Sequence, residues 1–272
     1  MKYKYTIFEK KSCMRNKTLL FFSFFSFFIF FSCGDENFEP YPNHEFDNHK
    51  GLLPSEYIKT EIDKNTGNKL TVTTSMQYDN LNRLINIKSS ISDSIINIHM
   101  ITYNESNGKV YTVTTENAGG TYLYSYEYTK PGIILEHRSF KTNPPPGYPE
   151  IKPYTRTLAV SGDKLLKIED PKDAQTHLFK YDKYGNLTQF DTTIYTYDIL
   201  KGLMNNVKTP HWLFAAFEGN FPFTYNLVNN ITGDNKGTVY NYEYNKDLHP
   251  DYPTKIILNN TEEIIINYIV AK

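Results

Sequence analysis

The alternation of apolar and polar side chains divides most of the chain into short strands separated by turn residues. The clearest unit is Phe179–Phe190. Its first aromatic residues, Phe179 and Tyr181, fall on one face of a strand because successive side chains point to opposite faces. Gly185 can take a positive φ without a Cβ clash, and the Asp and Asn residues around it favour a turn. The stretch therefore predicts a strand, a turn and a returning strand.

Variants of this hairpin recur along the chain, most of them with a Tyr followed by Asp, Asn or Thr before the turn. They occur at Met76–Leu84, Ile101–Val110, Tyr126–Ile133 and Tyr242–Ile256. A short unit that repeats is typical of a quasi-repetitive architecture. The alternative is convergence, because turn residues such as Asp and Gly are common in all β-rich chains.

Periodicity and turn residues predict fifteen strands. They are Tyr57–Asp63, Lys69–Tyr78, Arg83–Ser90, Ser94–Tyr103, Lys109–Glu116, Thr121–Thr129, Ile133–Lys141, Tyr154–Val160, Lys164–Glu169, Thr176–Tyr181, Leu187–Phe190, Thr193–Asp198, Thr238–Tyr244, Thr254–Leu258 and Glu263–Val270. Short strands at this spacing predict an all-β fold, and consecutive hairpins favour an antiparallel meander. We expect a curved sheet or partly open barrel.

One stretch, Ile199–Asn226, breaks the hairpin pattern. Pro210 lies where a short helix would begin, a position at which its missing N–H costs little. Two interpretations remain open. The insertion is a plug that covers one end or face of the sheet, or it forms a ligand pocket gated by Trp212 with Phe214 and Phe217. Both make it a place to look for function, because irregular insertions on a regular scaffold often carry it.

Rows of tyrosine mark single faces of several predicted strands. The longest row, from Tyr122 to Tyr128, includes Tyr124 and Tyr126. These two are candidate ligand contacts, since an aromatic row can form a platform for glycans or other flat ligands. The alternative is a row that faces the core with its hydroxyls at the rim, because tyrosine is an ordinary strand residue.

The N-terminal region has the features of an export signal. Basic residues precede an apolar run, Leu19–Phe31, which only Ser23 and Ser26 interrupt and which is too short to span a bilayer as a helix. Cys33 follows a small residue, the arrangement of a bacterial lipoprotein signal, so lipidation of Cys33 is predicted. The alternative is an unmodified thiol or an uncleaved anchor. We expect residues 1–32 to be the signal peptide, 33–54 a tether and 55–272 a single β domain.

Charge limits the range of partners. The first 32 residues hold six of the 29 basic and one of the 30 acidic residues, so the remainder has a net charge of −6. An acidic remainder argues against a nucleic-acid partner, which requires a basic surface. The acidic residues directly after Cys33 resemble a surface-export signal of Bacteroidetes lipoproteins. The alternative is a solvated linker.

Catalytic and cofactor motifs are not recognisable in the sequence. The seven histidines do not form the spacings of metal-binding motifs, and neither a nucleophile elbow nor a phosphate-binding loop occurs, so no metal and no cofactor is predicted. Carboxylates fall mostly in turns, so a glycosidase pair cannot be chosen. Ser94 and Thr192 lie in three-residue patterns that resemble O-glycosylation sites of Bacteroidetes exported proteins, and this requires both to be exposed.

The Tyr-Asp hairpins, the insertion after Thr196-Tyr197-Asp198 and the ending around Pro253 resemble a Bacteroidetes family of uncharacterised lipoproteins, described as a domain of unknown function with a porin-like fold. The resemblance covers Ser55 to the C-terminus and implies a curved antiparallel sheet without site residues.

We expect an outer-membrane lipoprotein that faces the periplasm or the cell surface and binds a glycan or an envelope protein. The alternatives are a hydrolase acting on glycans or peptides and a purely structural subunit of an envelope complex. A membrane-spanning barrel is disfavoured, because Thr73, Lys88 and Glu127 interrupt one face.

Overall fold

The computed structural model describes residues 51–62, 67–92, 94–140, 152–172, 174–217, 220–246 and 250–272. These residues form sixteen strands and one short helix. They are β1 Leu52–Ile62, β2 Lys69–Tyr78, β3 Leu84–Ile91, β4 Ser94–Tyr103, β5 Val110–Asn117, β6 Gly120–Lys130, β7 Ile133–Phe140, β8 Tyr154–Ser161, β9 Lys164–Asp170, β10 Gln175–Tyr181, β11 Leu187–Phe190, β12 Thr193–Lys201, α1 His211–Ala216, β13 Asn229–Asp234, β14 Tyr240–Tyr244, β15 Pro253–Leu258 and β16 Glu262–Val270.

All the strands belong to one antiparallel sheet that follows chain order. Except for β13 and β14, strands that are neighbours in sequence pair with each other, and β1 also pairs with β16, so the sheet curls into a nearly closed barrel. The order breaks at one place, between β13 and β14. The predicted antiparallel meander and partly open barrel are therefore confirmed.

The seam between β13 and β14 is held mainly by side chains. Its backbone pairing is a single bridge between Gly233 and Val239. The Tyr242 hydroxyl donates a hydrogen bond of 2.6 Å to the carbonyl of Ile231, and Asn230 Nδ2 donates one of 3.3 Å to the Tyr244 hydroxyl. Amide and hydroxyl groups thus take the place of the missing strand ladder.

The tyrosines before the turns join neighbouring hairpins. At the end of the barrel where even-numbered strands turn into odd-numbered ones, here called the Tyr-Asp end, a tyrosine hydroxyl donates to a carbonyl on the preceding odd-numbered strand. The bonds, donor first, are Tyr78 to Pro54, Tyr103 to Leu84, Tyr128 to Val110, Tyr197 to Leu187, Tyr242 to Ile231 and Tyr268 to Pro253. In most of these pairs the acceptor is the residue that begins the return strand of the previous hairpin. The repeated unit therefore carries its own contact to the next unit.

The residue after the tyrosine shapes the turn. Asp182 Oδ1 accepts hydrogen bonds from the backbone N–H groups of Tyr184, Gly185 and Asn186 at 2.8 to 2.9 Å. Asp79 Oδ1 does the same for Leu81 and Arg83. Strand register shifts at the preceding tyrosine in five hairpins, at Tyr78, Tyr103, Tyr128, Tyr181 and Tyr244. A bulge and a carboxylate cap occur together at Tyr78-Asp79 and at Tyr181-Asp182, which explains the Tyr-Asp pair in these two hairpins.

The strand bounds agree closely with the pattern of the sequence except around the insertion. β2, β4 and β11 have the predicted bounds, and β1 begins at Leu52, three residues before the predicted start of the domain. The strand β13 was missed. Its sequence, Asn229–Asp234, has little β-propensity and no clear alternation, and it becomes a strand by pairing with β12.

Candidate functional site

The interior of the barrel is occupied by the insertion between β12 and β13. Its described residues, 202–217 and 220–228, are here called the plug segment. Entry and exit lie side by side, because Gly202 N–H donates to Val228 O and Met204 N–H donates to Asn226 O. A Cβ on Gly202 would lie 2.3 Å from the carbonyl oxygen of Asn226, so only glycine permits this approach. The two ends of the segment are thus held together where it leaves and rejoins the sheet.

Aromatic rings of the plug segment contact rings on the inner faces of widely separated strands. Leu213, Phe214 and Ala216 of α1 have no exposed surface. The ring pairs, with centroid separations of 4.6 to 5.2 Å, are Trp212 with Tyr126, Phe217 with Tyr124, Phe221 with His99, Phe223 with Tyr57 and Tyr225 with Tyr195. Since these wall residues come from β1, β4, β6 and β12, the segment fills the space between them. The insertion thus packs inside the barrel, whereas the sequence predicted a plug that covers an end or a face of the sheet.

A charged wall residue contacts each end of α1. Asp163, in the turn between β8 and β9, accepts a hydrogen bond of 2.8 Å from the N–H of His211. Arg156 on β8 donates one of 2.9 Å from Nη2 to the carbonyl of Ala216. An acid at the first turn and a base at the last complement the helix dipole. Burial raises the pKa of Asp163 and lowers that of His211, and the attraction between them opposes both shifts.

A cluster of charges lies inside the barrel beneath the helix. Glu136 on β7 is fully buried and accepts hydrogen bonds from Arg156 Nε at 3.0 Å and from Arg138 Nε. Its second oxygen accepts one of 3.3 Å from the Tyr126 hydroxyl. Asp170 Oδ2 lies 3.8 Å from Arg156 Nη1. The four charged side chains and Tyr126 are called the buried charge cluster.

Arg138, which is partly buried, remains charged. Burial by itself lowers the pKa of Arg138, but the charge and hydrogen bond of Glu136 outweigh it and raise that pKa above its ordinary value. Burial, followed by the charge of Glu136, raises the pKa of Tyr126, so its hydroxyl stays neutral and donates. A buried ion pair needs such additional hydrogen bonds to offset its desolvation.

Sequence reasoning missed the buried charge cluster. The signal was alternation in β7, which places Ile134, Glu136 and Arg138 on one face. Ile134 is buried, so its neighbours on that face also point inward. A charged pair on a buried face requires partners of opposite charge, and Arg156 on the adjacent strand pairs with Glu136 in register.

A small pocket opens beside this cluster, at the end of the barrel opposite the Tyr-Asp end. It has a volume of about 190 Å³ and is called the aromatic pocket. Its lining residues are Tyr122, Tyr124, Arg138, Ser139, Phe140, Tyr154 and Lys172. Cross-strand pairing places Tyr124, Arg138 and Tyr154 side by side. The guanidinium carbon of Arg138 lies 5.2 Å from the Tyr124 ring centroid and 5.8 Å from that of Tyr154.

His99, on β4, takes part in the packing of the plug segment. It is 4 % exposed, and its ring lies edge-on to Phe217 and Phe221. Nδ1 is 2.9 Å from the Thr115 hydroxyl and Nε2 is 2.8 Å from Asn97 Nδ2. Burial lowers its pKa from 6.5 to about 4, so the ring is neutral at pH 7. These contacts are structural.

The predicted ligand-contact residues lie at different depths. Trp212, Phe214, Phe217 and Tyr126 are buried between the plug segment and the wall, at 6 % exposure or less. Tyr124 reaches the aromatic pocket. Trp212 also lines an open groove of about 660 Å³ at the Tyr-Asp end, next to Pro210 and Tyr128. Binding of a ligand by these residues stays a prediction.

The remaining predicted sites lie outside the barrel interior. Ser94 and Thr192 are both exposed, as O-glycosylation would require, and the modification itself stays a prediction. Cys33 lies outside the described residues. Across the described ranges, no three His, Cys, Asp or Glu side chains are grouped so that they could hold a metal ion. The same ranges contain no helix that is both long and apolar enough to cross a membrane.

Replacing Arg156 by methionine tests the buried charge cluster. The change leaves Glu136 without one of its two arginines and Ala216 without its donor, so we expect a loss of about 3–5 kcal/mol in the free energy of unfolding. The matched control is Lys167→Met, which removes an exposed ion pair with Glu169 and should cost at most about 1 kcal/mol. Urea titration measures both. Equal losses in the two variants would contradict the role of the cluster.

No protein-family model and no curated protein matches the chain. A crystal structure of a porin-like protein from Bacteroides uniformis ATCC 8492 resembles it, with a TM-score of 0.46 and 14 % sequence identity over 79 % of this chain and 96 % of that chain. The chain is therefore similar to a porin-like Bacteroides protein, and membership of the Bacteroidetes lipoprotein family stays a hypothesis.

Proposed function

We propose that this protein is a lipid-anchored component of the cell envelope whose β domain binds a saccharide at the aromatic pocket. The observation that carries the binding role is the convergence of Tyr122, Tyr124, Phe140 and Tyr154 on one cavity. Aromatic faces pack against the apolar faces of sugar rings, and their polar tips can donate hydrogen bonds. The cavity is smaller than the roughly 300–1,000 Å³ of sites for drug-sized ligands, which favours a single ring.

Support for a binding domain, as opposed to a channel, comes from the interior. The plug segment and the buried charge cluster occupy the space between the walls. The Tyr124 side of the aromatic pocket is supported from inside the barrel, because Phe217 of the plug segment packs against the Tyr124 ring. Binding sites need supports of this kind to hold their contact residues in place.

The outer face of the sheet carries charges within its strands. Glu127 on β6 lies 3.2 Å from His137, and Lys255 on β15 lies 2.9 Å from Glu263. Lys88, in the middle of β3, is exposed. Such a surface suits water better than the hydrocarbon of a bilayer. Attachment through a lipid on Cys33 is consistent with this surface, and the order of basic, apolar and small residues before that cysteine supports it.

A hydrolytic role finds less support in the arrangement of carboxylates. Glu136 and Asp170 both face inward, but Arg156 binds both of them. Neither belongs to the described lining of the aromatic pocket. A general acid or base must reach the proton that it transfers. The two carboxylates are therefore better suited to hold the plug and the arginines.

Removal of one ring tests the binding role. Phe140 packs against Tyr122 at 4.4 Å between centroids, and Phe140→Ala takes away a wall of the pocket without changing charge. We expect binding on a glycan array to weaken by about tenfold, equivalent to about 1.4 kcal/mol. Tyr111→Ala is the matched control, since Tyr111 is 58 % exposed on β5 and does not line the pocket. Absence of any array binding by the native protein would refute the proposal.

The lipid anchor is tested separately, by labelling cells with palmitate. The chain has two cysteines, so each serves as a control for the other. We expect Cys33→Ala to abolish labelling of the protein and Cys13→Ala to leave it unchanged, because only Cys33 has the lipoprotein arrangement. Equal labelling of native protein and the Cys33→Ala variant would contradict the anchor.

A further inference from the structure

We infer that the aromatic pocket selects a saccharide that carries a carboxylate, such as a uronic acid. This inference rests on the proposed saccharide binding and adds the charge of the ligand. The inference follows from the cationic side chains that line the pocket and from the N–H groups of Arg138 that are free to bind a ligand.

The charged side chains that line the pocket are cationic as far as the structure describes them. The carboxylates of Glu136 and Asp170 lie behind the lining and pair with the arginines. Both arginines share Glu136, and Arg156 also reaches Asp170. Arg138 and Lys172 are the two cations that line the cavity, and no carboxylate is among the described lining residues. In the described lining, an anion entering the pocket therefore meets two cations and no carboxylate.

The arginine has a fixed orientation and spare donors. Nε of Arg138 donates to Glu136, and Nη1 donates to the Tyr154 hydroxyl at 3.1 Å. Within the described residues Nη2 has no protein acceptor. The guanidinium is held on one edge by a buried carboxylate, so the remaining N–H groups point in a defined direction. Arginine in such a position is well suited to recognise a planar carboxylate.

The lysine is placed at the mouth. Lys172 lies in the exposed turn between β9 and β10, with Nζ 5.7 Å from the Tyr154 ring centroid. Among the residues that the structure describes, it forms no ion pair. The ring holds the ammonium group over the pocket by a cation–π contact. A carboxylate on a sugar ring that packs against the aromatic walls would lie between this ammonium and Arg138.

The shape of the pocket favours a sugar acid over a bare anion. Four aromatic rings surround the two cations, and an inorganic anion would leave those apolar faces exposed to water. A sugar ring that bears one carboxylate contacts the aromatic walls with its apolar face and the cations with its charge. An aromatic acid also combines an apolar ring with a carboxylate, so one is included among the probes below.

The test compares three probes on the full-length protein in detergent by calorimetry: methyl β-D-glucuronide, methyl β-D-glucoside and benzoate. The first two differ in the carboxylate. We expect the glucuronide to bind about tenfold or more tighter than the glucoside, and raised salt to weaken binding of the glucuronide alone.

The variant Lys172→Gln should reduce the affinity for the glucuronide about threefold to tenfold and leave the affinity for the glucoside unchanged. Because Lys172 is exposed, this variant keeps the buried charge cluster intact.

The matched control is Lys167→Gln, a lysine on β9 that pairs with Glu169 and does not line the pocket. It should bind all three probes as the native protein does. Equal affinity for glucuronide and glucoside would overturn the inference and leave saccharide binding standing. Tighter binding of benzoate than of the glucuronide would overturn the sugar part of the inference. If neither sugar binds, both the inference and the proposed function fail.

Discussion

The width of the barrel is the constraint on which the other features depend. A barrel of about eight strands can be filled by the side chains of its own wall, but wider barrels leave a channel or need a plug. This nearly closed sheet has sixteen strands, and its interior is filled by the residues between β12 and β13. The aromatic residues of the wall and the plug segment supply bulk that smaller side chains could not.

The plug segment in turn explains the buried charges. Its short helix ends inside the barrel, where the carbonyl of Ala216 needs a donor, and Arg156 provides it. A buried arginine requires a carboxylate, which is Glu136, and the strand that carries Glu136 also carries Arg138. Arg138 also lines the aromatic pocket, so the pocket shares a cation with the cluster that supports the plug.

Local patterns were enough to predict the wall of the barrel from the sequence. Alternation and turn residues located β2, β4 and β11 with correct bounds, because each hairpin is stabilised by its own Asp or Asn and by a neighbouring tyrosine. The polar strand β13 could not be found in this way. Alternation in β7 places Glu136 on the face of the buried Ile134, but its partner Arg156 is identified only by the register in which β7 pairs with β8.

Trp212 is the single tryptophan and is buried between the plug segment and Tyr126 of the wall, so its fluorescence reports on whether the segment packs inside the barrel. The decisive measurement is the quenching of this fluorescence by acrylamide in the native protein. A filled interior predicts that acrylamide quenches Trp212 slowly and that its emission is blue-shifted. The quenching rate and the emission wavelength should both change only when the protein unfolds. Quenching as fast as that of free tryptophan under native conditions would contradict the plugged barrel.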